Sequence, residues 1–357
     1  MIVLLANSIL ILLFATIFYR SPKAACFICG LQAFLILAMR SEFYGADALY
    51  YYNGYHLISG YSFEGICSVL SSSPIKVASL PYPYAYENGW VIVNWLFSHI
   101  GFTYRQFIIV LSGLTSFSLS FFAYRYSKKP GYSIFIATCL IFYLYSFYVL
   151  RQTLAFCICL FASKYLLERK PGKFFILLLL AISFHRSAAI FAVLYPFVNR
   201  PVTKNTIEKS LVACVVLILV SAFFLPNILP RVLALFGKSH YALSFKFNNL
   251  LMLQLLTVGC LLFFDIDKLT KSKTTSIAIW SSILSMLLYS LFLSNEVMAR
   301  AIEYVWVFVI ALIPAILEEL EKHQQLIAYM GISLLLVIYL AHQIQGTTFD
   351  PYLFASF

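Results

Sequence analysis

The chain is a succession of apolar runs, each about long enough to cross a bilayer, joined by short polar segments. The runs fall at 2–19, 23–39, 104–124, 132–149, 151–167, 209–226, 249–264, 275–293, 300–317 and 325–344. About 20 apolar residues cross the ~30 Å hydrocarbon core as a helix. In lipid each backbone polar group must be paired inside its own element, so repeated runs of this kind fold as helices. Only 11% of residues are charged and 62% are hydrophobic, whereas a soluble domain carries about a quarter charged residues. The expected fold is an all-α polytopic integral membrane protein of about ten to twelve transmembrane helices.

The first run, Ile2–Tyr19, has no basic leader and runs on into another span, so it is expected to be a retained helix rather than a signal peptide. The 173–199 run is interrupted by His185-Arg186. It is too long for one straight span and too short for two, which predicts two half-length helices or one tilted helix, with the His-Arg pair at a break. Residues 40–103 form an extracytoplasmic loop and amphipathic-helix insertion in an otherwise single multi-span membrane domain over 1–357. No repeat and no pair of matching halves with broken helices stands out, which weighs against a secondary transporter.

Lysines and arginines set the expected orientation. Arg20/Lys23, Arg125/Lys128/Lys129, Arg169/Lys170/Lys173, Arg200/Lys204/Lys209, Lys268/Lys271/Lys273 and Lys322 fall on one side. The other side holds Arg40, Lys76, Arg105, Arg151, Arg186, Arg231, Lys238, Lys246 and Arg300 over much more loop. The first side is cytoplasmic by the positive-inside rule, so the 40–103 region and both termini face outward.

Several function classes fall away. The net charge of +11 forms no basic stripe, so no nucleic-acid partner is expected. Cys26 and Cys29 form a CxxC inside a lipid-length run with no second ligand pair, so no metal is expected. The other cysteines read as small apolar packers. Gly237-Lys238-Ser239 lacks the upstream glycine spacing of a phosphate loop. No cofactor is expected.

Five short clusters carry the polar chemistry. The first holds Arg40, Gly45, Asp47 and the run Tyr50-Tyr51-Tyr52. It suits a sugar-lining surface, or an interfacial aromatic belt with a snorkelling arginine. The second is Tyr86-Glu87-Asn88-Gly89-Trp90, where Glu87 is either a helix-start carboxylate or a general base. The third opens a span with Leu150-Arg151-Gln152-Thr153-Leu154-Ala155. A cation at a helix N-terminus is poorly placed, so a compensating carboxylate or phosphate is expected. The fourth is Phe184-His185-Arg186-Ser187-Ala188, whose paired ionisable groups in an apolar run need water or an anion. In the fifth, Asn295-Glu296 precedes Arg300, Glu303 and Tyr304, where a local Arg300–Glu303 pair and a substrate contact both remain open.

Taken in order, these clusters resemble the EpsG-like branch of the Wzy-type bacterial polysaccharide and O-antigen polymerases. The resemblance rests on Arg40–Gly45–Asp47–Tyr51, Glu87–Gly89, Leu150–Ala155, Phe184–Ala188 and Arg300. It covers roughly residues 20–320, with Gly-Ala-Asp where Gly-Thr-Asp is expected. It implies a metal-independent glycosyltransferase of the bacterial inner membrane, working at the periplasmic face. Its donor and acceptor would be oligosaccharide units on undecaprenyl pyrophosphate, with a chain-length regulator and a flippase as candidate partners. Arg40, Arg151, Arg186 and Arg300 would then bind pyrophosphate, for which a planar bidentate cation is suited. Tyr50, Tyr51, Tyr52, Trp90, Gln152 and Tyr304 would contact sugar. Glu87, then Asp47, then His185 are the candidate bases.

The rivals are a lipid-linked oligosaccharide flippase, an O-antigen ligase and a membrane acyltransferase using His185. A flippase would line a cavity across the membrane with its charges, whereas these gather at one face. A ligase shares the chemistry and differs in its acceptor. The acyltransferase lacks a matching thioester-binding or paired His/Asn signal.

Overall fold

The computed structural model describes residues 2–72, 86–223, 249–291, 300–345, 347 and 351–355. Lys76, Arg231, Lys238, Lys246, Gly237, Ser239, Asn295 and Glu296 lie outside the described residues. Regular structure among the described residues is helical, and one isolated bridge pairs Arg40 with Phe354. Among the described residues, six helices are long and apolar enough to cross a membrane: Pro22–Met39, Tyr104–Tyr126, Leu150–Leu167, Lys204–Phe223, Lys273–Leu291 and Lys322–Ile344. A seventh span is added if Pro130–Cys139 and Ile141–Phe147, bent by 70° at Leu140, cross together. Other expected spans are shorter apolar helices, among them Ile2–Ile17, Asn249–Phe263 and Glu303–Leu317.

The chain divides into two compact units. The first comprises Met1–Tyr165, Lys170–Ala189 and Tyr329–Phe357; the second comprises Leu166–Arg169 and Ile190–Ala328. In the second unit, Lys273–Leu291 packs against Lys204–Phe223, Asn249–Cys260 and Val309–Leu317.

The first unit opens with α1 (Ile2–Ile17), α2 (Pro22–Met39), α3 (Ala48–Ser59), α4 (Phe63–Ser72) and α5 (Asn88–His99). It continues through α6 (Tyr104–Tyr126), α7 (Pro130–Cys139), α8 (Ile141–Leu144), α9 (Leu150–Leu167) and α10 (Pro171–Phe184). Local sequence sets the starts. Ser21 caps α2 ahead of Pro22, and Thr103 with Gln106 closes a capping box on α6. Prolines at the first turn of α7 and α10 sit where their missing N–H costs nothing.

α2 packs along α6 and α7, and α1 lies against α7. One end of this bundle is covered by α3 and α5, which share an aromatic core with the start of α6. Tyr50, Tyr51, Tyr55, Tyr86, Trp90 and Phe107 are all buried in it. Neither α3 nor α5 is long enough to cross lipid; each leaves apolar side chains exposed, such as Leu57 and Ile92. Helices of this kind suit a membrane–water boundary.

At the same end, the C-terminal segment docks on the exit of α2. The Ser41 N–H donates to Leu353 O at 2.8 Å, and the Ala355 N–H donates to Met39 O at 2.9 Å. The Tyr352 hydroxyl donates to Ile36 O at 2.5 Å.

Candidate functional site

Two glycines bring the site together. Gly45 holds φ +110, a left-handed conformation that side chains avoid, and turns the chain from α2 into α3. A Cβ there would press on Tyr148, so the turn also sits directly against the segment entering α9. Gly89 lies on the end of α10, where a Cβ would fall within 2.7 Å of Ser183 O and 2.9 Å of its carbonyl carbon. Only the bare backbone fits. This close approach places Glu87, the residue preceding α5, beside the break at His185.

Glu87 is the hub. Its Oε2 receives Arg151 Nη1 at 2.6 Å, with both side chains 14% exposed. Its Oε1 faces the Arg186 N–H at 3.5 Å. The carboxylate expected to compensate Arg151 at the start of α9 is thus Glu87. An ion pair this far from water is held in a medium where charges interact strongly.

Aromatic groups complete the surroundings of Arg151. Its guanidinium carbon stands 5.2 Å from the Tyr86 ring centroid and 5.9 Å from that of Tyr50. It is also hydrogen-bonded to Tyr51. Tyr86 in turn donates its hydroxyl to Tyr50 O at 2.9 Å, lying over Gly54, where a Cβ would collide with the ring. Burial pushes the Tyr50, Tyr51 and Tyr86 hydroxyls above their ordinary range, so all three stay protonated at neutral pH.

These tyrosines differ from the expected sugar platform. Tyr50, Tyr51 and Trp90 are 5%, 3% and 1% exposed, and their faces are covered by one another. Tyr51 meets Trp90 edge-on at 5.4 Å and stacks with Tyr86 at 6.4 Å. Tyr50 and Tyr51 on α3, together with Tyr86 just ahead of α5, form a wall behind Arg151. Tyr52, on the next helical position, is half-buried, and Gln152 is buried.

His185 occupies the break between α10 and a 3₁₀ stretch over Arg186–Phe197, with extended backbone at φ −155, ψ 118. It lies outside every helix of spanning length. Ser187 returns to it: the Ser187 N–H donates to Nδ1 at 3.3 Å and the hydroxyl lies 2.6 Å from the same nitrogen. With Nδ1 accepting, the neutral ring carries its proton on Nε2. Burial pushes the imidazole down to about 4, and Arg151 adds to this while Glu87 opposes it. The one basic nitrogen therefore faces Ser187, and Nε2–H is left to donate.

The arginines part company. The Arg186 side chain is exposed, and its guanidinium has no partner among the described residues. Arg40 is 2% exposed. Its Nη1 donates to Leu37 O at 3.1 Å and Ser112 Oγ at 3.5 Å, and its guanidinium lies 5.5 Å from the Phe147 centroid. Burial lowers its pKa to about 10, which leaves it charged at neutral pH. Arg105 covers the same helix end, donating to Arg40 O and Ala38 O at 2.5 Å each. Sequence reasoning passed over Arg105; its spacing from a helix start gave no sign that it caps another helix. Arg40 is sealed into the bundle instead of lying at its mouth.

Asp47 stands at the N-terminus of α3, half-buried, one turn before Tyr51 and acting on its hydroxyl. Arg300 and Tyr304 belong to the second unit, where Tyr304 is fully buried. Among the described residues, no group of three or more histidine, cysteine or carboxylate side chains is placed to hold a metal ion.

A model of the EpsG family matches residues 23–354. No curated protein and no solved structure matches the chain.

Proposed function

The chain belongs to the EpsG family, and from that premise we propose that it is a membrane glycosyltransferase that polymerises lipid-linked oligosaccharide repeat units. The donor is an oligosaccharide on undecaprenyl pyrophosphate, the acceptor is a second such unit, and the reaction runs at the outer face of the bacterial inner membrane. The observation that carries this reading is an exposed arginine, Arg186, whose main-chain N–H faces a carboxylate that Arg151 holds in place. An anion from the lipid surface and a base for a sugar hydroxyl then meet at one spot.

In the transfer, the acceptor hydroxyl oxygen bonds to the donor's anomeric carbon. The bond from that carbon to the pyrophosphate oxygen breaks, and its electron pair leaves on the pyrophosphate. The hydroxyl proton passes to Glu87 through Oε1, which among the described residues meets the Arg186 N–H at 3.5 Å. Arg186 and the His185 Nε2–H stabilise charge on the departing phosphate, the kind of electrostatic contribution often largest in catalysis. Arg151 holds Glu87 in its orientation at 2.6 Å, and the tyrosine wall keeps Arg151 in place. Asp47 is the second candidate base. Arg40, sealed behind Tyr352, serves the scaffold rather than the pyrophosphate.

A deletion strain complemented with wild type or Arg186→Ala tests the proposal on a gel of surface polysaccharide. Collapse of the ladder to a single-repeat band, restored by wild type alone, is the expected result. A ladder that survives deletion overturns it, and units trapped inside the cell would indicate a flippase instead.

A further inference from the structure

A groove of about 440 Å³ runs between α2 and α6, at the end of the bundle away from Glu87. Gly30, Gly113, Ser116 and Ser120 form its floor, with phenylalanines from both helices as walls. At Gly30 the helices nearly touch, since a Cβ there would collide with the Ser120 side chain. The walls stay open to the surroundings: Phe27 is 70% and Phe117 59% exposed.

Three features define what fits. The first is depth: from Lys23 to Phe34, α2 rises about 16 Å, half of the ~30 Å hydrocarbon core. The groove is therefore one leaflet deep. The second is charge. Lys23 stands at its mouth, exposed and without a partner among the described residues. The joints around it carry Arg20, Lys23, Arg125, Lys128 and Lys129, and no acidic residue lies within 19–23 or 125–129. The third is size: about 440 Å³ spread along that length holds one hydrocarbon chain and not a helix about 10 Å across. A second copy of this chain lying parallel would also bring the same basic joints to the mouth, which is repulsive.

We propose that the α2–α6 groove binds one anionic phospholipid of the adjoining leaflet, its acyl chain along Phe27–Phe34 and its phosphate at Lys23. This does not rest on the polymerase proposal.

Native mass spectrometry of the full-length, delipidated protein, titrated with phosphatidylglycerol or phosphatidylcholine in detergent, tests it. Wild type should retain one phosphatidylglycerol tightly and phosphatidylcholine weakly. Lys23→Gln should weaken phosphatidylglycerol about five-fold, near what one juxtamembrane cation contributes, and leave phosphatidylcholine unchanged. Gly113→Leu fills the groove from a position whose Cβ meets only the Phe34 ring, at 3.6 Å, and should displace both lipids. Equal retention of the two lipids by wild type, or unchanged phosphatidylglycerol binding in Lys23→Gln, overturns the proposal. So does a dimer without lipid that Gly113→Leu turns to monomer, which would place a second copy in the groove. Lys23 is exposed on a helix's first turn, so its variant decides the matter even if Gly113→Leu fails to fold.

Discussion

Arg40 and Arg186 look alike in sequence, each an arginine at the edge of an apolar run, yet the fold uses them in opposite ways. Around Arg40 the C-terminal segment closes over the α2 exit, and carbonyl, hydroxyl and ring take up the guanidinium. Around Arg186 the backbone breaks at His185, the side chain is exposed, and among the described residues only the main-chain N–H is engaged. The difference lies in what covers them. A buried cation without a carboxylate is tolerated where a helix C-terminus offers carbonyl oxygens. A free one beside an ion pair is worth keeping where an anion arrives.

The comparison breaks most sharply at Glu87. Glu87→Gln keeps size and hydrogen bonding to Arg151 but removes the base. Polymerisation in membrane vesicles should fall about 10²- to 10⁴-fold, the usual range for losing a general base, with membrane abundance retained. Activity near wild type would move the base to Asp47. Gly89→Ala comes next. Its methyl group must push α5 from the Ser183 backbone, and an ångström of misplacement costs about 10²-fold. Unchanged turnover would show that Glu87 is not positioned by that contact. Arg186→Lys keeps the charge but loses the planar fork, so a partial loss of about ten-fold is expected from the same assay. A loss equal to that of Arg186→Ala would mean that the site demands the bidentate geometry.

How much of this could be read from the chain depends on range. The helical membrane fold was legible because bilayer thickness imposes a length on each run. The break at His185-Arg186 was legible for a related reason: adjacent ionisable groups inside an apolar run need an exit. That Arg151 requires an anion also followed from its place at a helix start. The identity of the anion did not, since Glu87 reaches it through a Gly89–Ser183 approach between helices distant in sequence. Nor was the burial of Tyr50, Tyr51 and Trp90 visible, because a tyrosine run fits a wall and a binding face equally well. The sealing of Arg40 by Tyr352 was beyond sequence reasoning, joining residues from opposite ends of the chain.

Arg40→Met then sharpens the contrast with a small effect. A buried charge replaced by an apolar side chain of similar volume is often neutral or stabilising. Turnover should therefore stay within about three-fold of wild type, against the hundred-fold or greater loss from removing one oxyanion donor. A collapse like that of Arg186→Ala would return Arg40 to the pyrophosphate.

The smallest expected effect is an absence, and it tests the role given to His185. An ordinary histidine titrates near 6.5, while burial holds this one down to about 4. Between these values the native state binds fewer protons than the unfolded chain, so native stability falls as pH drops from 6.5 towards 4. Within about pH 5 to 8 the ring stays neutral and Nε2 keeps its proton, so His185 should add no inflection to the rate profile in that window. Ser187→Ala removes the hydroxyl contact to Nδ1, and the Ser187 N–H alone then holds the ring. If that variant acquires an inflection near 6.5 absent from wild type, Ser187 is what keeps His185 a neutral donor. If wild type itself shows one, and His185→Gln abolishes it, His185 exchanges protons during turnover and belongs among the bases after all.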